Sequence, residues 1–589
     1  MAPVLFLEAL SPLQALSSGS SFFLRALLIL PVYIILKLVF LTFVGPRLSS
    51  IRAVPGPKPK SAWTGSLGET LDLGPGVAFD KYRAEFGGAV KLQTVFGNDA
   101  LIITDPAALQ HVLVEKSYDY VKPKLTAASI GDLSGPGLVV LEGDSHRRQR
   151  KLMLPSFSPS HMRDLAPIIT EKSQILRDQW LKLVKEGAVE ASTFKTVSQC
   201  DKAQRALGKN EAILDVMNWF NSFALDVIGL AGFGHEFDNL NSQSSTLSDS
   251  WHCFANRVQQ KPTPVSFLTT RLLRTVAIAL RPSGLERFIP SRRIQVDRKL
   301  RMDMEEESRK IIEEKVKDVK EEGKVTMEGK KDLIALLLRA NWGDAKAHLT
   351  NEELRAEMMT ILLAGHETTS NALTWLAYNF AKYPQVEKKL REELVAAQAA
   401  AEEGGREEID LNELEKLEYL EAVIREMFRF EPSIPVSSRQ ALQPDVIPLS
   451  IPIPSATNPS ETLSSIPIKK GQQIVVPIYA ANRSKELYGE DADEFRPERW
   501  IETDEKGERK IKGGSGLYGM MTFLQGPRGC IGYKFAILEM KIALSILLPT
   551  FTFSLRDPDM HVERRAEIVS RAIVDGDNLA MPLRVGLVQ

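Results

Sequence analysis

Hydrophobic and polar positions alternate with a helical period over most of the chain, with short strand-like runs near its two ends. Residues 88–105 carry β-branched positions around a Gly-Asn-Asp turn signal, which predicts a β-hairpin. Residues 215–233 and 354–365 are apolar on nearly every face, as is typical of buried helices. Charges of both signs at helical spacing over 304–324 predict a solvated helix. The pattern therefore indicates a mainly α protein with small β-sheets.

The N-terminal pattern is different in kind. Residues 22–44 are apolar almost throughout, with Arg25 and Lys37 as the only charges. As a helix this run would extend roughly 34 Å at ~1.5 Å per residue, enough to cross a bilayer. A cleaved signal peptide fits less well, because the run exceeds a signal core and no small-residue cleavage site follows. We predict a transmembrane anchor at 22–44 after a short luminal segment at 1–21.

Basic residues and prolines follow the predicted anchor. Arg47, Arg52, Lys58 and Lys60 lie close behind it, so the positive-inside rule places the rest of the chain in the cytosol. Pro55 to Pro59 cannot continue a helix and predict a stiff connector. We therefore divide the chain into a basic, Pro-rich linker at 45–60 and one large domain at 61–589.

The amino-acid composition excludes few classes of function. The 74 basic and 75 acidic side chains nearly cancel, so global charge gives no indication of a nucleic-acid partner. Three cysteines in so long a chain do not form a disulfide framework, which is consistent with a reducing cytosol. Two stretches, 396–408 and 447–465, are predicted as surface insertions without catalytic groups.

The most specific local pattern is FLQGPRGCIGYKFA at 523–536. Three glycines bracket Cys530, and an apolar helical pattern begins directly after it. Glycines permit close approach to a flat ligand, and amides at a helix start stabilise an anion. We interpret Cys530 as a thiolate with a lowered pKa that is free to bind a metal. The alternative, a buried structural cysteine in a Gly-rich turn, would be preferred if these flanking residues were missing.

Here the chain resembles the cytochrome P450 family, the haem-thiolate monooxygenases, in a fungal microsomal form. The family signature F-x-x-G-x-R-x-C-x-G is matched at each fixed position, by Phe523, Gly526, Arg528, Cys530 and Gly532. The resemblance implies the cytochrome P450 fold, haem b as cofactor and Cys530 as the proximal iron ligand. It also implies that Arg528 pairs with a haem propionate.

Two further motifs fall in the family's order. Glu426 and Arg429 match the E-x-x-R helix, whose i, i+3 spacing places both side chains on one face. Arg499, in FRPERW at 495–500, resembles the arginine that completes the family's structural Glu-Arg-Arg cluster. Such a cluster must be fully paired when buried, since removal of one member would strand a charge.

Three more residues are expected near the propionates. Arg150 and His146, in the segment 143–157, match a family pattern that usually reads Trp-x-x-x-Arg, so His146 departs from it. Imidazole can still donate to a carboxylate. Arg439, in PVSSR, matches another position that commonly contacts a propionate. Each arginine alone would be read as a solvated surface residue.

AGHETT, from Ala364 to Thr369, admits two readings. His366-Glu367 could begin the HExxH motif of a zinc peptidase, but Ser370 stands where the second histidine is required. The segment instead fits the family's distal helix, in which Gly365 would let oxygen approach. Glu367 and Thr368 are then the catalytic pair that supplies protons to the oxygen site.

The resemblance implies a monooxygenase that takes O2 and oxidises a lipophilic small molecule. Electrons from NADPH would arrive through a separate reductase, because the G-x-G-x-x-G match at 514–519 lacks a preceding strand and so does not predict a nucleotide site. The reductase is expected to dock near Lys534 and Lys541. The expected location is the endoplasmic reticulum membrane, single-pass, with the catalytic domain in the cytosol. The substrate class ranked first is a fungal secondary metabolite such as a terpenoid. The pocket is expected to involve four segments: 359–364, 129–138, 432–436 and 573–579.

Two other functions remain open from the sequence. A haem-thiolate isomerase or dehydratase would rearrange an oxygenated substrate without O2, and the pair Glu367-Thr368 argues against it. A haem-based gas sensor would bind without turnover and would tolerate the loss of Thr368.

Overall fold

The computed structural model describes residues 32–33, 36–40, 42–74, 76–190, 194, 197–242, 245–256, 261–322, 332–337, 349–458, 460–511, 513–576 and 578–588. These ranges include the α-helices α1 Leu67–Leu73, α2 Val77–Phe86, α3 Pro106–Gln110, α4 Lys124–Ser134, α5 Gly143–Met153, α6 Pro159–Glu186, α7 Val197–Arg205, α8 Val216–Phe233, α9 Asn239–Ser242, α10 Thr246–Ala255, α11 Pro264–Leu280, α12 Arg292–Glu322, α13 Asn351–Lys382, α14 Pro384–Glu403, α15 Leu411–Leu414, α16 Glu418–Phe430, α17 Ile478–Ala481, α18 Lys485–Tyr488 and α19 Tyr533–Leu547.

The strands are β1 Ala89–Gln93, β2 Asp99–Ile103, β3 Tyr120–Val121, β4 Glu211–Asp215, β5 Ser437–Ala441, β6 Asp445–Pro454, β7 Thr462–Ile468, β8 Gln473–Val476, β9 Phe551–Leu555, β10 Val562–Ala566, β11 Ser570–Val574 and β12 Pro582–Leu587. A five-stranded sheet has the order β1-β2-β8-β5-β3, with β2 and β8 parallel. A three-stranded sheet has the order β4-β12-β9, and β6–β7 and β10–β11 are separate hairpins.

Helix α13 runs through the centre of the helical part and packs against α8, α12 and α19. Its start is fixed locally, because Thr350 and Glu353 form a capping box in which each side chain accepts from the other's backbone N–H. Most of its turns are buried between the neighbouring helices. This burial agrees with the near-uniform apolar character of the sequence over 354–365.

Aromatic packing joins the helices to the C-terminal sheet. Trp180 on α6 is fully buried and makes edge contacts with Phe220 on α8 and with Phe551 and Phe553 on β9. Because β12 pairs with both β9 and β4, this sheet connects the end of the chain to the start of α8. The separate β10–β11 hairpin contacts α13 through β11.

Several predicted elements are confirmed. The hairpin predicted at 88–105 is the antiparallel pair β1–β2. The buried helix predicted at 215–233 is α8. The charged segment at 304–324 lies largely on α12, where Arg309 pairs with Glu306 and Glu313 at the surface.

The two predicted insertions are more regular than the sequence suggested. The first eight positions of 396–408 complete α14, which ends at Glu403. The stretch 447–465 forms most of the β6–β7 hairpin. Ile447 and Ile453 within it, and Ile466 directly after it, are buried against the five-stranded sheet. Its serines and prolines obscured a strand pattern in which these isoleucines face the core.

Only part of the predicted N-terminal segments falls within the described residues. The luminal segment at 1–21 and much of the anchor at 22–44 lie outside the described residues. Among the described residues, none of the helices combines the length and apolarity that a bilayer crossing requires. The predicted linker at 45–60 is only partly a connector, because Ile51 and Val54 are buried and the Lys91 N–H of β1 donates to the Pro55 carbonyl oxygen over 2.8 Å.

Candidate active site

Cys530 lies on a tight loop just ahead of α19. A 3-10 turn at Gly526–Arg528 precedes it, and its backbone N–H donates to the Phe523 carbonyl oxygen over 2.9 Å. Gly526 has φ +68°, and a Cβ there would lie 2.3 Å from the Leu113 carbonyl oxygen, so no larger residue fits. The signature glycine therefore serves the close approach of this loop to the helical turn before β3.

The other signature positions support the same loop from two sides. The Phe523 ring packs against Phe428, at 4.8 Å between centroids, and against Tyr533 at 5.8 Å. A Cβ at Gly532 would make only ordinary contact, with Phe157 at 3.6 Å, and no other described atom within 4 Å appears around it. Packing within the protein therefore leaves room beside Gly532, as a flat ligand would require.

The Cys530 side chain has accessible surface, yet burial raises the pKa of its thiol. The sulfur is therefore accessible but surrounded by enough protein to disfavour the thiolate. The Gly532 backbone N–H and the Arg150 guanidinium oppose this shift but do not overcome it. The predicted lowering of this pKa is therefore wrong for the protein alone. A bound metal cation would reverse it, because a coordinating thiol loses its proton.

A cluster of cationic side chains lies beside this sulfur. Its members are Lys122, Arg150, Arg439 and Arg528. Glu142 pairs with Arg528 and, at 3.6 Å, with Lys122. Within the described part of the chain, no ion pair involves Arg150 or Arg439. Burial lowers the pKa of Lys122 to about 8 and that of Arg439 to about 10, in both cases assisted by neighbouring positive charge.

This cluster holds more buried positive charge than Glu142 neutralises. The Arg528 Nε atom is buried without a hydrogen-bond partner in the described protein. Arg439 donates to the Ser437 hydroxyl and the Ser438 carbonyl oxygen, both at 2.8 Å, and to no carboxylate there. Buried charges need compensating partners. The residues present therefore fit haem b, whose two propionates would supply the missing negative charge next to a thiol able to bind its iron.

His146 lies among these cations, and its surroundings disfavour protonation of the imidazole. Its Nδ1 atom lies 3.2 Å from the Tyr118 hydroxyl, and burial together with Arg528 and Lys122 lowers its pKa to about 3. The imidazole is therefore neutral, and one ring nitrogen is already engaged with Tyr118. Its expected role, donation to a propionate, would have to come from Nε2 and stays a prediction.

The distal segment forms the middle of α13. The Thr368 hydroxyl donates to the Ala364 carbonyl oxygen over 2.7 Å, as the sequence suggested, and the Thr368 carbonyl oxygen accepts from the Ser433 hydroxyl over 2.9 Å. Ala364 is exposed, although Leu362 and His366 beside it are buried. Because the rest of this part of α13 is packed, Ala364 and Thr368 border an internal space.

Gly365 contributes to the packing between α8 and α13, and its predicted role in oxygen approach stays a prediction. A Cβ there would lie 3.0 Å from the Ile228 side chain of α8. The missing side chain thus allows α8 and α13 to pack closely, and it is the accessible Ala364 that faces the internal space. His366 likewise belongs to the packing, with its ring 5.0 Å from that of Trp251 in an edge contact.

Glu367 is buried on α13 and forms an ion pair with Arg571 of β11. Arg571 was not predicted from the sequence, because the two residues are 204 positions apart and nothing local marks this arginine. Tyr118, Lys122 and Glu142 were missed for the same reason. Only their placement around the Cys530 loop assigns them to the site.

The Glu-Arg-Arg residues meet in one buried cluster. Glu426 accepts from Arg429 at 2.8 Å, from Arg499 at 2.9 Å and from the Trp500 indole at 2.9 Å. Arg499 also pairs with Asp491 at 2.7 Å, and both arginines donate to backbone carbonyl oxygens. Glu426, Arg429 and Arg499 have no accessible surface in their side chains. Every charge is paired, which is the condition for a stabilising buried cluster.

The expected pocket segments lie along α13. A Cβ at Gly137 would fall 2.1 Å from the Thr360 hydroxyl, so this loop touches α13 directly. Ser433 contacts Thr368, and β11, which contains Ile573, contacts α13. Of the two lysines proposed for reductase docking, Lys534 is exposed, but Lys541 is buried and pairs with Glu421 at 2.7 Å, so its predicted docking role is wrong.

Comparison with known proteins agrees with this geometry. The sequence model of the family described as cytochrome P450 matches residues 55–572. Cytochrome P450 monooxygenase claP of Ampulloclitocybe clavipes is 33% identical over 568 residues, covering 94% of this chain and 98% of that protein. Cytochrome P450 monooxygenase 205 of Postia placenta is 34% identical over 537 residues, covering 89% and 90%. The chain therefore belongs to the cytochrome P450 family and is a haem-thiolate monooxygenase.

Proposed function

We propose that this enzyme is a membrane-anchored monooxygenase that inserts one oxygen atom from O2 into a lipophilic small molecule of fungal secondary metabolism. An NADPH-dependent reductase supplies the electrons. The observation that carries the proposal is the accessible Cys530 thiol beside buried arginines that lack enough carboxylate partners. When bound there, haem supplies the iron that binds and activates O2.

Residues of the chain bind the cofactor, hold protons and exclude water from the substrate. Arg150, Arg439 and Arg528 hold the carboxylates of the cofactor, and the Gly526 loop presents the Cys530 sulfur to its iron. Thr368 and Glu367 hold protons on the opposite side, on α13. The apolar side chains around Met359 and Ile573 exclude water from the substrate. A terpenoid is the substrate class we rank first, because an apolar wall with few polar groups suits a hydrocarbon skeleton.

The sequence supports a location at the endoplasmic reticulum membrane. The apolar run at 22–44 supports a single membrane crossing, and the basic residues after it support a cytosolic catalytic domain at the endoplasmic reticulum. An isomerase or dehydratase is the alternative. It would need no NADPH, so product formed from a panel of terpenoids, steroids and fatty acids, with reductase and with NADPH present or omitted, separates the two functions.

Replacement of the proposed iron ligand gives the most direct test. We expect the reduced, carbon monoxide-treated wild-type enzyme to show the absorption band of thiolate-bound haem, and Cys530→Ser to lack it, because a neutral hydroxyl is a poor iron ligand. Cys253→Ser is the matched control, since Cys253 is an exposed cysteine of α10. The proposal is wrong if the wild-type enzyme, reconstituted with haem, shows no such band.

A further inference from the structure

Glu142 directly precedes α5, but its carboxylate does not cap that helix. Its Oε1 atom accepts from the Lys122 backbone N–H over 3.0 Å and lies 3.6 Å from the Lys122 ammonium. Its Oε2 atom pairs with the Arg528 guanidinium. This one side chain therefore joins two parts of the cationic cluster that are distant in sequence, the residue after β3 and the loop that carries Cys530.

The Arg528 guanidinium is held by protein groups at both of its terminal nitrogens. Nη1 donates to the Leu141 carbonyl oxygen over 3.0 Å, and Nη2 donates to Glu142. The Tyr118 ring lies against the guanidinium, with 4.8 Å between the ring centroid and Cζ. The Arg528 Nε atom, in contrast, is buried without a hydrogen-bond partner among the described residues. These contacts fix the guanidinium and leave Nε for an acceptor that the described protein does not supply.

The charge balance of the cluster leaves a place for Glu142 even when haem is bound. The four cationic side chains outnumber the two negative charges that the haem propionates would bring. Glu142 adds one more negative charge and pairs with two of these cations. Buried charges need compensating partners. The glutamate and the propionates therefore complement each other in neutralising the cluster.

We propose that Glu142 is the positioning residue of the propionate site. It holds Arg528 and Lys122 in place before the cofactor binds, and it leaves the Arg528 Nε atom as the donor to one propionate. It also offsets positive charge near the iron ligand Cys530, which lies two residues after Arg528. The inference rests on the proposed function, because it requires haem in this site. Glu142 thus has a geometric effect on haem retention and an electrostatic effect on the reduction potential of the iron.

Glu142→Gln tests the electrostatic effect. The amide keeps the length of the side chain and an acceptor for the Lys122 N–H, but it removes the negative charge. Positive charge that is less well compensated favours the reduced iron, so we expect a higher reduction potential for the substrate-free, full-length holoenzyme. Spectroelectrochemical titration of the haem absorbance measures this potential. A potential equal to that of the wild-type enzyme would overturn the electrostatic part of the proposal.

Glu142→Asp tests the geometric effect. It keeps the charge but shortens the side chain by one methylene group, so that one carboxylate no longer reaches both Arg528 and the Lys122 N–H. We expect haem transfer from the holoenzyme to excess apomyoglobin, followed by absorbance, to become several-fold faster. The reduction potential should stay close to that of the wild-type enzyme, since a negative charge remains nearby. Haem transfer at the wild-type rate would contradict the positioning role.

Glu211 provides the matched control. It accepts from the Gly208 backbone N–H over 2.8 Å and pairs with Arg584 at 2.9 Å, and its side chain is about as exposed as that of Glu142, 32% against 27%. It lies on β4, in a different sheet from β3 and β5 beside the cluster. Glu211→Gln and Glu211→Asp should keep the wild-type potential and haem transfer rate. Shifts as large as those of the Glu142 variants would show general loosening and overturn the proposal.

The failure of this inference differs from the failure of the proposed function. If the wild-type holoenzyme lacks the carbon monoxide band of thiolate-bound haem, the proposed function is wrong and the inference falls with it. If the wild-type enzyme shows the band and both Glu142 variants match it in potential and in haem transfer, only the positioning role is overturned. Both variants should keep the band, because Cys530 is unchanged and the Glu142 side chain is partly exposed.

Discussion

Single residues in this enzyme have properties that their motifs do not reveal. Cys530 is recognisable from its flanking glycines, but burial raises the pKa of its thiol, the opposite of what a helix start alone would do. Gly365 matches the family's distal pattern, yet its missing side chain accommodates Ile228. In both cases the identity follows from local sequence and the physical state follows from the neighbours.

Glu357, one of the most buried acids of α13, belongs to no motif, and its pKa too is set by its surroundings in the fold. It has no accessible surface, and burial raises the pKa of its carboxyl to about 8, helped by the negative charge of Glu353. Between the usual pKa of 4.5 and about 8, the folded protein therefore keeps a proton that the unfolded chain has lost. Its contribution to stability must fall as the pH rises through this window.

We expect Glu357→Gln to remove this pH dependence. Relative to the variant, the wild-type enzyme should lose about 1.4 kcal/mol of stability for each pH unit between pH 5 and pH 8, the slope for one proton. Thermal unfolding of both proteins across this range measures the difference. Glu313→Gln, on the exposed side of α12, is the control and should leave the curve unchanged. Parallel curves for wild type and Glu357→Gln would contradict the raised pKa.

At the scale of elements, the buried Glu426 cluster joins α16 to the turn at Pro497–Trp500 through ion pairs and hydrogen bonds. The helix supplies Glu426 and Arg429, and the turn supplies Arg499 and Trp500. The same helix also carries an exposed pair near its start, Glu418 with Arg509 at 2.9 Å. These two pairs on one helix differ mainly in burial, which makes them a matched comparison.

We expect the two glutamates of α16 to respond very differently to the same change. Glu426→Gln leaves two buried arginines short of a counter-charge and should cost about 3–5 kcal/mol, enough to lower the haem-loaded yield sharply. Glu418→Gln should cost no more than about 1 kcal/mol, because water replaces an exposed partner. Melting temperatures and haem content per polypeptide measure both effects. Similar losses in the two variants would show that burial does not set the cost.

Elements were predictable where the local pattern was strong. The β1–β2 hairpin and α8 follow directly from alternation and from near-continuous apolar character. The β6–β7 hairpin was missed, because its prolines and serines hid three isoleucines that are buried only against the five-stranded sheet. A strand whose stability comes from a partner sheet has too weak a signal of its own.

At the scale of the whole molecule, we expect the N-terminal apolar run to attach the enzyme to a membrane. We predict that the full-length enzyme stays with membranes in alkaline carbonate, and that removal of residues 1–44 releases it, because an apolar helix of this length partitions into a bilayer. Removal of 1–21 alone is the control and should leave attachment intact. The freed enzyme should keep its carbon monoxide band, since Ile51 and the rest of the packed body remain. Carbonate-resistant attachment without 1–44 would refute the anchor.

The sequence by itself determined the family and the iron ligand candidate, because the signature positions around Cys530 lie within one short segment, 523–532. It also indicated Glu426 and Arg429 by their i, i+3 spacing, whereas Arg499, 73 positions from Glu426, was indicated only by resemblance to a family motif. Tertiary structure alone decided which distant residues complete the site. Glu142 meets Arg528 across 386 positions and Arg571 meets Glu367 across 204, and no local pattern encodes either contact. It also decided the protonation of Cys530, Glu357 and His146, because a pKa depends on burial and nearby charge, and both exist only once the chain has folded.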